Sequence, residues 1–479
     1  MRSTRAWSTR EGGAMALQAG VGRVDVTPAA DIPNGMWMAQ RHVRAEGVHQ
    51  ELWLTALALA DGWERVLLID LDWCLLSDAQ DRRLRAAVAA ATGVAAERVL
   101  PCSTHNHAGP VTQDTYGGEG ADEVAAYVRS IDAKAVEACR AALARLEPAR
   151  VASGVGQSDI GVNRDLRLPD GRAVAGPNPD GPADRSVGVV RIEREGGAPL
   201  AVLVNYACHP TVLGPDNKLV SPDYPGTTKR VVEAELGAPC LFLQGAHGDM
   251  GPVEGFVGDA AVAERLGRRL GLEAAKVALG LDARPVRRRL ERVIPSGAPL
   301  TVFVDEPTGE PPPRLVVRSG RARLPVRDPL PDVLAGAARR MAAWSTELDA
   351  RRRAGADDRA IAEAHQNLER ERLRHVRFEA FHASEHAETE LQAVVLGPVA
   401  LLLTWGEPYS AIGLDIKRRS PFASTFVVSC LGGDPTYVAT PAGFEPPQPF
   451  QIDNCTFTPA AAAALADAAV ALLEAAAQA

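Results

Sequence analysis

Three apolar runs in this chain end alike, each in a short turn that carries a histidine or a carboxylate. Val99-Leu100 leads into Pro101-Cys102-Ser103-Thr104-His105-Asn106-His107-Ala108-Gly109-Pro110. Val202-Leu203-Val204-Asn205-Tyr206 leads into Ala207-Cys208-His209-Pro210, and Leu401-Leu402-Leu403 into Thr404-Trp405-Gly406-Glu407-Pro408. Short apolar runs bounded by turn residues read as strands, and those without polar alternation as strands covered on both faces. A sheet of that kind needs helices to cover it. In an extended chain residues i and i+2 point to the same side, so His105 and His107 are expected to reach into one cleft.

The rest of the chain supplies the covering layer. Strand-like segments at 19–27, 52–59 and 66–72 are followed by a helical stretch at 82–91 that stops at Gly93. A long helix is expected at 123–146, strands at 190–192 and 201–206, a helix at 224–236, a strand at 240–243 and a helix at 260–279. This strand, helix, strand order argues for an α/β fold, in which ligands bind beyond the carboxyl ends of the strands. Segment 287–327 reads as strands and turns peripheral to that site, and 331–373 as a peripheral helical pair broken near Gly355. Strands are expected at 376–384, 391–403 (broken at Gly397-Pro398) and 424–429, with a short exposed one at 435–440 and a terminal helix at 458–479.

Size and charge narrow the function. The 479 residues carry no internal repeat and no long linker, so one catalytic domain over 17–479 is expected. Residues 1–16 lack the apolar core of a secretory signal and read as a disordered or mis-called start. A net charge of -8 argues against a nucleic-acid partner, and no apolar run reaches the roughly 20 residues of a membrane-spanning helix. The seven cysteines form no Cys-x-x-Cys pair and read as reduced core thiols of a cytoplasmic protein.

His105, His209 and Glu407 together make a donor set that zinc hydrolases use, with zinc as the expected cofactor and an amide or related acyl bond as the target. His107 is suited to donate to an oxyanion or orient water, or else only ties its turn. Arg164, in Gly161-Val162-Asn163-Arg164-Asp165, can hold a carbonyl or stabilise the fold through an ion pair. Tyr437 can bind metal, stabilise an oxyanion or make a plain cross-strand contact. Asp72 and Asp249 are candidate carboxylates behind the liganding histidines. His247 lies in a glycine-flanked turn that suits a second metal or simple exposure. His365, His375, His382 and His386 read as surface or strand histidines, and Lys417-Arg418-Arg419 as a solvated turn or an attractor for an acidic substrate group.

Six pieces in this order carry a family resemblance: Thr104-His105-Asn106-His107-Ala108-Gly109-Pro110, Gly161-Val162-Asn163-Arg164, His209-Pro210-Thr211, Gln244 with Gly248-Asp249, Gly406-Glu407, and Tyr437-Val438-Ala439-Thr440. From Gly20 to about Thr458 the chain resembles the N-terminal catalytic domain of the neutral/alkaline non-lysosomal ceramidases, zinc amidases that cleave the N-acyl linkage of ceramide. The resemblance implies mixed β-sheets packed between helices. It implies zinc held by His105, His209, Glu407 and Tyr437, His107 beside the scissile carbonyl, and Arg164 near the substrate. Departures stand at Met250-Gly251-Pro252, where the family reads Val-Ser-Pro, and at Tyr206, Cys208 and His247. The chain ends soon after the catalytic region, without the family's C-terminal immunoglobulin-like domain. The expectation is therefore a zinc-dependent amidohydrolase acting on a small-molecule N-acyl amine smaller or more polar than ceramide. Alternatives are an ester or lactone hydrolase, a transferase forming the amide, and a non-catalytic binding protein; the oligomeric state stays open.

Overall fold

Two β-sheets face each other across a shared apolar layer in the computed structural model, and helices cover their outer sides. The structure describes residues 16–479 apart from 38, 41, 113–115, 117, 309–313, 328–329, 380, 382–383 and 434–435. The expected start segment up to residue 15, His382 and Pro435 therefore lie outside the described residues.

The larger sheet has eight strands, in the spatial order Cys240–Gln244, Pro199–Tyr206, Ser186–Arg194, Glu147–Gln157, Gln18–Asp25, Trp53–Ala60, Arg65–Leu71, Val99–Ser103. Most neighbours are antiparallel, but the pair at each edge is parallel. Each parallel pair is joined through a helix, Asp78–Thr92 at one edge and Asp223–Leu236 at the other. The four-stranded sheet runs Leu315–Pro325, His386–Leu396, Val399–Thr404, Ser424–Val428. Its last two strands are again parallel and joined by a helix, Ser410–Arg419. Three strand–helix–strand crossovers thus bring parallel strand ends to one region, as a right-handed βαβ unit requires intervening helix to return the chain.

Between the sheets lie Leu57, Leu68, Leu100, Leu203 and Leu243 from one side and Val317, Val394, Leu401, Leu403 and Phe426 from the other, all buried. Side chains here are buried from both layers, which is why the runs that flagged them are apolar without alternation. The outer face of the larger sheet packs on helices Asp78–Thr92 and Ala121–Ala144, and on Asp223–Leu236 and Ala260–Leu279. Helix Ala461–Ala477 packs on the outer face of the smaller sheet. The expected α/β class with mixed sheets between helices is what the structure shows. The seven cysteines are all buried and none is in a disulfide.

Three expectations need correction. Residues 376–379, where a strand is expected, belong to helix Asp358–Glu379, held by Arg374–Glu371 and His375–Glu379 contacts at helical spacing and by buried Phe378. Leu315–Pro325 is the edge strand of the smaller sheet and pairs along its length with His386–Leu396. Tyr437–Val438 is buried rather than exposed, because it pairs in parallel with Glu407–Pro408. Lys417-Arg418-Arg419 closes a helix whose basic groups are taken internally: Lys417 by Asp184 and Ser186, Arg418 by Asp415, and Arg419 by Asp415 and Asp467. That run is therefore not an attractor for substrate. Strands Glu147–Gln157, Gly161–Arg167 and Ala173–Asn178 went unexpected because glycine, alanine and charged residues give them little β signal.

Candidate metal centre

Four candidate donors stand just past the carboxyl ends of parallel strands. His105 follows Val99–Ser103, His209 follows Pro199–Tyr206, His247 follows Cys240–Gln244 and Glu407 follows Val399–Thr404. Ser429 Nα–H donates to the Gln244 carbonyl at 2.8 Å, and Asn205 Nδ2 donates to the carbonyls of Leu243 and Val427 at 2.9 Å each. The bonds to Val427 and from Ser429 tie the ends of the two sheets together, so turns from both meet. One ligand atom from each of His105, His209, His247 and Glu407 lies within 4.8 Å of the others, all four residues buried.

His105 and His107 do converge, but not by the pleat of an extended strand. The strand ends at Ser103, and His105 takes a left-handed backbone conformation with φ of 64°. A non-glycine residue there is strained and must be held by its surroundings. Thr104 N–H donates to the Leu71 carbonyl and Asn106 N–H to the Trp73 carbonyl, while the Asn106 side chain donates to the Asp72 carbonyl and accepts from Ala108 N–H. The two rings end 5.0 Å apart, edge to face.

The imidazoles are oriented by main-chain carbonyls. His105 Nδ1 faces the Cys74 carbonyl at 2.8 Å, His209 Nδ1 the His247 and Met250 carbonyls at 2.9 and 3.1 Å, and His247 Nδ1 the Gly245 carbonyl at 2.9 Å. His107 Nδ1 faces the Met36 carbonyl at 3.1 Å. A carbonyl only accepts, so each Nδ1 carries the proton and each Nε2 presents a lone pair. Burial, followed by neighbouring positive charge or imidazole, holds His209 and His247 well below the ordinary histidine range, and burial then His105 bring His107 down to about 3. The inward nitrogens meet a carboxylate: Glu407 Oε2 lies 3.1 Å from His209 Nε2, 3.6 Å from His105 Nε2 and 3.9 Å from His247 Nε2.

The carboxylates expected behind the histidines do other work. Asp72 accepts from Lys229 Nζ at 2.7 Å and from Trp53 N–H, not from an imidazole. Asp249 accepts from Ser410 N–H at 2.6 Å, Ser410 Oγ and Asn163 Nδ2, fixing the helix start after Glu407 to the loop that follows His247. Arg164 is buried, donates to the Gly248 carbonyl at 2.8 Å and to Tyr437 Oη at 3.2 Å, and lies over the Phe450 ring. Tyr437 is the cross-strand partner of Glu407. Sequence reasoning passed over Trp37, whose ring stacks at 5.1 Å from His107 and meets Phe256 edge-on at 5.8 Å, and it passed over Cys430, 3.7 Å from His105. Neither carries a local signal. His247 did: it follows a buried strand and precedes Gly248, as the other donors follow theirs.

Residues 17–255 match the family model described as neutral/alkaline non-lysosomal ceramidase, N-terminal. The chain belongs to the neutral/alkaline non-lysosomal ceramidase family. Neutral ceramidase B of Dictyostelium discoideum is 24% identical over 269 residues, covering 51% of this chain and 37% of that relative. The chain thus spans little more than a third of its curated ceramidase relative. The crystal structure of neutral ceramidase from Pseudomonas aeruginosa matches 96% of this chain and 75% of its own with a TM-score of 0.63 at 18% identity. A ceramidase complexed with C2 matches 96% of this chain and 76% of its own with a TM-score of 0.65 at 17% identity. The ceramidase fold therefore extends through the half of the chain that bears Glu407 and Tyr437. Among the described residues no helix is long and apolar enough to cross a membrane.

Proposed function

We propose that this chain is a metal-dependent hydrolase of linear N-acyl amides, holding a divalent ion of the zinc class at His105, His209 and Glu407. One observation carries the reading. The only proton of neutral His209 is directed at carbonyls, yet its Nε2 sits 3.1 Å from a buried carboxylate oxygen. Two lone-pair donors at that distance, out of water, repel unless a cation lies between or beside them. Imidazole nitrogen with carboxylate oxygen is the donor chemistry zinc accepts. When bound, such an ion polarises an acyl carbonyl and makes hydroxide accessible near neutral pH.

The chain's own groups would then divide the work. His107 Nδ1 is tied to the Met36 carbonyl, and its Nε2 has no hydrogen-bond partner. That nitrogen is placed to accept a hydrogen bond from the attacking water and orient it, rather than to donate to an oxyanion. Arg164 fixes Tyr437 Oη and brings a positive charge next to the place where the carbonyl oxygen becomes negative. Trp37 and Phe256 form an aromatic wall beside His107 against which an acyl or amine group can lie. The relatives are named for ceramide hydrolysis; the departures at Met250-Gly251 and His247 favour a smaller or more polar N-acyl amine here.

The test is hydrolysis of a panel of N-acyl amines and matched esters by the full chain, before and after chelation and after zinc is restored. Amide cleavage that disappears with the metal and returns with zinc is the expected result. Undiminished cleavage by protein verified as metal-free overturns the reading, and cleavage confined to esters moves the activity to that bond.

A further inference from the structure

We infer that His247 is a fourth protein donor to the ion at His105, His209 and Glu407, giving a centre of three imidazoles and one carboxylate. The inference rests on the metal reading above and assigns a residue where the family resemblance supplies tyrosine alone.

The turn that carries His247 is built to press it into the centre. Gly245 N–H donates to the Tyr206 carbonyl at 2.8 Å, and Gly248 N–H to the Pro408 carbonyl at 2.9 Å. The turn is therefore pinned on one side to the strand end that leads to His209 and on the other to the residue after Glu407. Both contacts need glycine: a Cβ on Gly245 would stand 2.9 Å from Ala207 Cα, and one on Gly248 would stand 2.5 Å from the Glu407 carbonyl oxygen. Between them His247 is fully buried, its ring 4.3 Å from that of His209 and 4.7 Å from that of His105.

Its tautomer is set from behind. Nδ1 meets the Gly245 carbonyl and Ser429 Oγ, each at 2.9 Å, and Ser429 Oγ itself donates to the Gly245 carbonyl at 2.6 Å. The lone pair on Nε2 then points toward Glu407 Oε2, 3.9 Å away. An imidazole that only tidied the turn would direct its second nitrogen to a donor or to water. This one directs it to an anion and to two other imidazoles, with the Cys430 thiol 4.0 Å away. Carbonyl-anchored Nδ1 with an inward Nε2 is how histidines are held to metal ions. Tyr437 Oη is meanwhile held by Arg164, which leaves it suited to the substrate oxygen as well as to the ion.

His247→Asn is the discriminating variant, because the asparagine amide can replace Nδ1 against Gly245 and Ser429 while nothing replaces Nε2. Zinc affinity of the full chain is measured by competition with a chromophoric chelator, for wild type, His247→Asn and His209→Ala. Loss of an outer partner costs about 10- to 100-fold in affinity, so a ligand's loss should exceed about 100-fold in His247→Asn. Near wild-type affinity in His247→Asn, with affinity lost in His209→Ala, overturns the inference and leaves the metal reading standing. Wild type that binds no zinc overturns both. X-ray absorption of the zinc-loaded wild type decides independently of any variant's folding: three imidazoles support the inference and two refute it.

Discussion

Lys229→Met tests whether the buried charges behind the centre are balanced as the structure shows. Lys229 Nζ lies 3.0 Å from Asp70 Oδ2 and 2.7 Å from Asp72 Oδ1, and all three side chains are sealed from solvent. Burial opposes the lysine's charge, but the two aspartates outweigh it and raise its pKa. Removing one partner of a buried ion pair costs about 3–5 kcal/mol, because the other charge is left uncompensated. An unfolding entropy of about 2.1 cal/mol/K per residue makes that a fall of roughly 3–5 °C in Tm for a chain of this length unfolding as one unit.

The pH dependence carries the sign. Burial, eased by Lys229, raises Asp70 to about 7 from an ordinary 3.8. A folded pKa above the unfolded one means that the linked stability is fully present below 3.8 and is lost as pH rises through about 7. Lys229 holds Asp70 down, so Lys229→Met pushes the Asp70 carboxyl further up and enlarges the stability lost as pH rises from 5 to 8. The fall in Tm should therefore be larger at pH 8 than at pH 5. Thermal melts of wild type and variant at the two pH values measure it. No destabilisation at pH 8, or a larger one at pH 5, refutes the arrangement.

Three further outcomes follow from the centre itself. Zinc supplied at 100 times its dissociation constant to chelated protein should stabilise it by about 2.7 kcal/mol, read as a rise in the denaturant midpoint, and His209→Ala should abolish the gain. His107→Ala should lower kcat by about 10²- to 10⁴-fold while zinc content, measured by elemental analysis, stays unchanged. Tyr437→Phe should lower kcat by about 10²- to 10³-fold if its hydroxyl meets the developing oxyanion, and steady-state kinetics on the best amide measure this.

How much of this was legible in the sequence depended on which force placed each residue. His105, His209 and Glu407 stood out because apolar runs buried from both layers end abruptly in polar turns, and that signal is local. The left-handed turn at His105 was not legible: its conformation is imposed by Asn106 reaching the Asp72 carbonyl, a contact between segments 34 residues apart. Asp72 looked like a histidine's partner for the same reason, since nothing near it in the chain announces Lys229. The helix through Glu379 was misread because Val376 and Phe378 alternate like a strand, while the ion pairs that continue the helix are seen only in space. His247 was noticed but left undecided, because two glycines beside a histidine signal close approach without saying to what.

The geometry of the two sheets has a consequence for assembly of the centre. His105, His209 and His247 come from turns at the ends of the larger sheet, and Glu407 from the smaller one. Three neutral imidazoles facing one another repel little, so the larger sheet can form without the ion. Docking the smaller sheet brings a buried carboxylate to 3.1 Å from His209 Nε2, and this is the step that a cation must offset. The bonds that close the same junction, Asn205 to Val427 and Ser429 to Gln244, form in that docking. Metal removal should therefore loosen this seam first, so that amide exchange at Ser429, Glu407 and Tyr409 rises while exchange in the Trp53–Ala60 strand of the larger sheet stays slow.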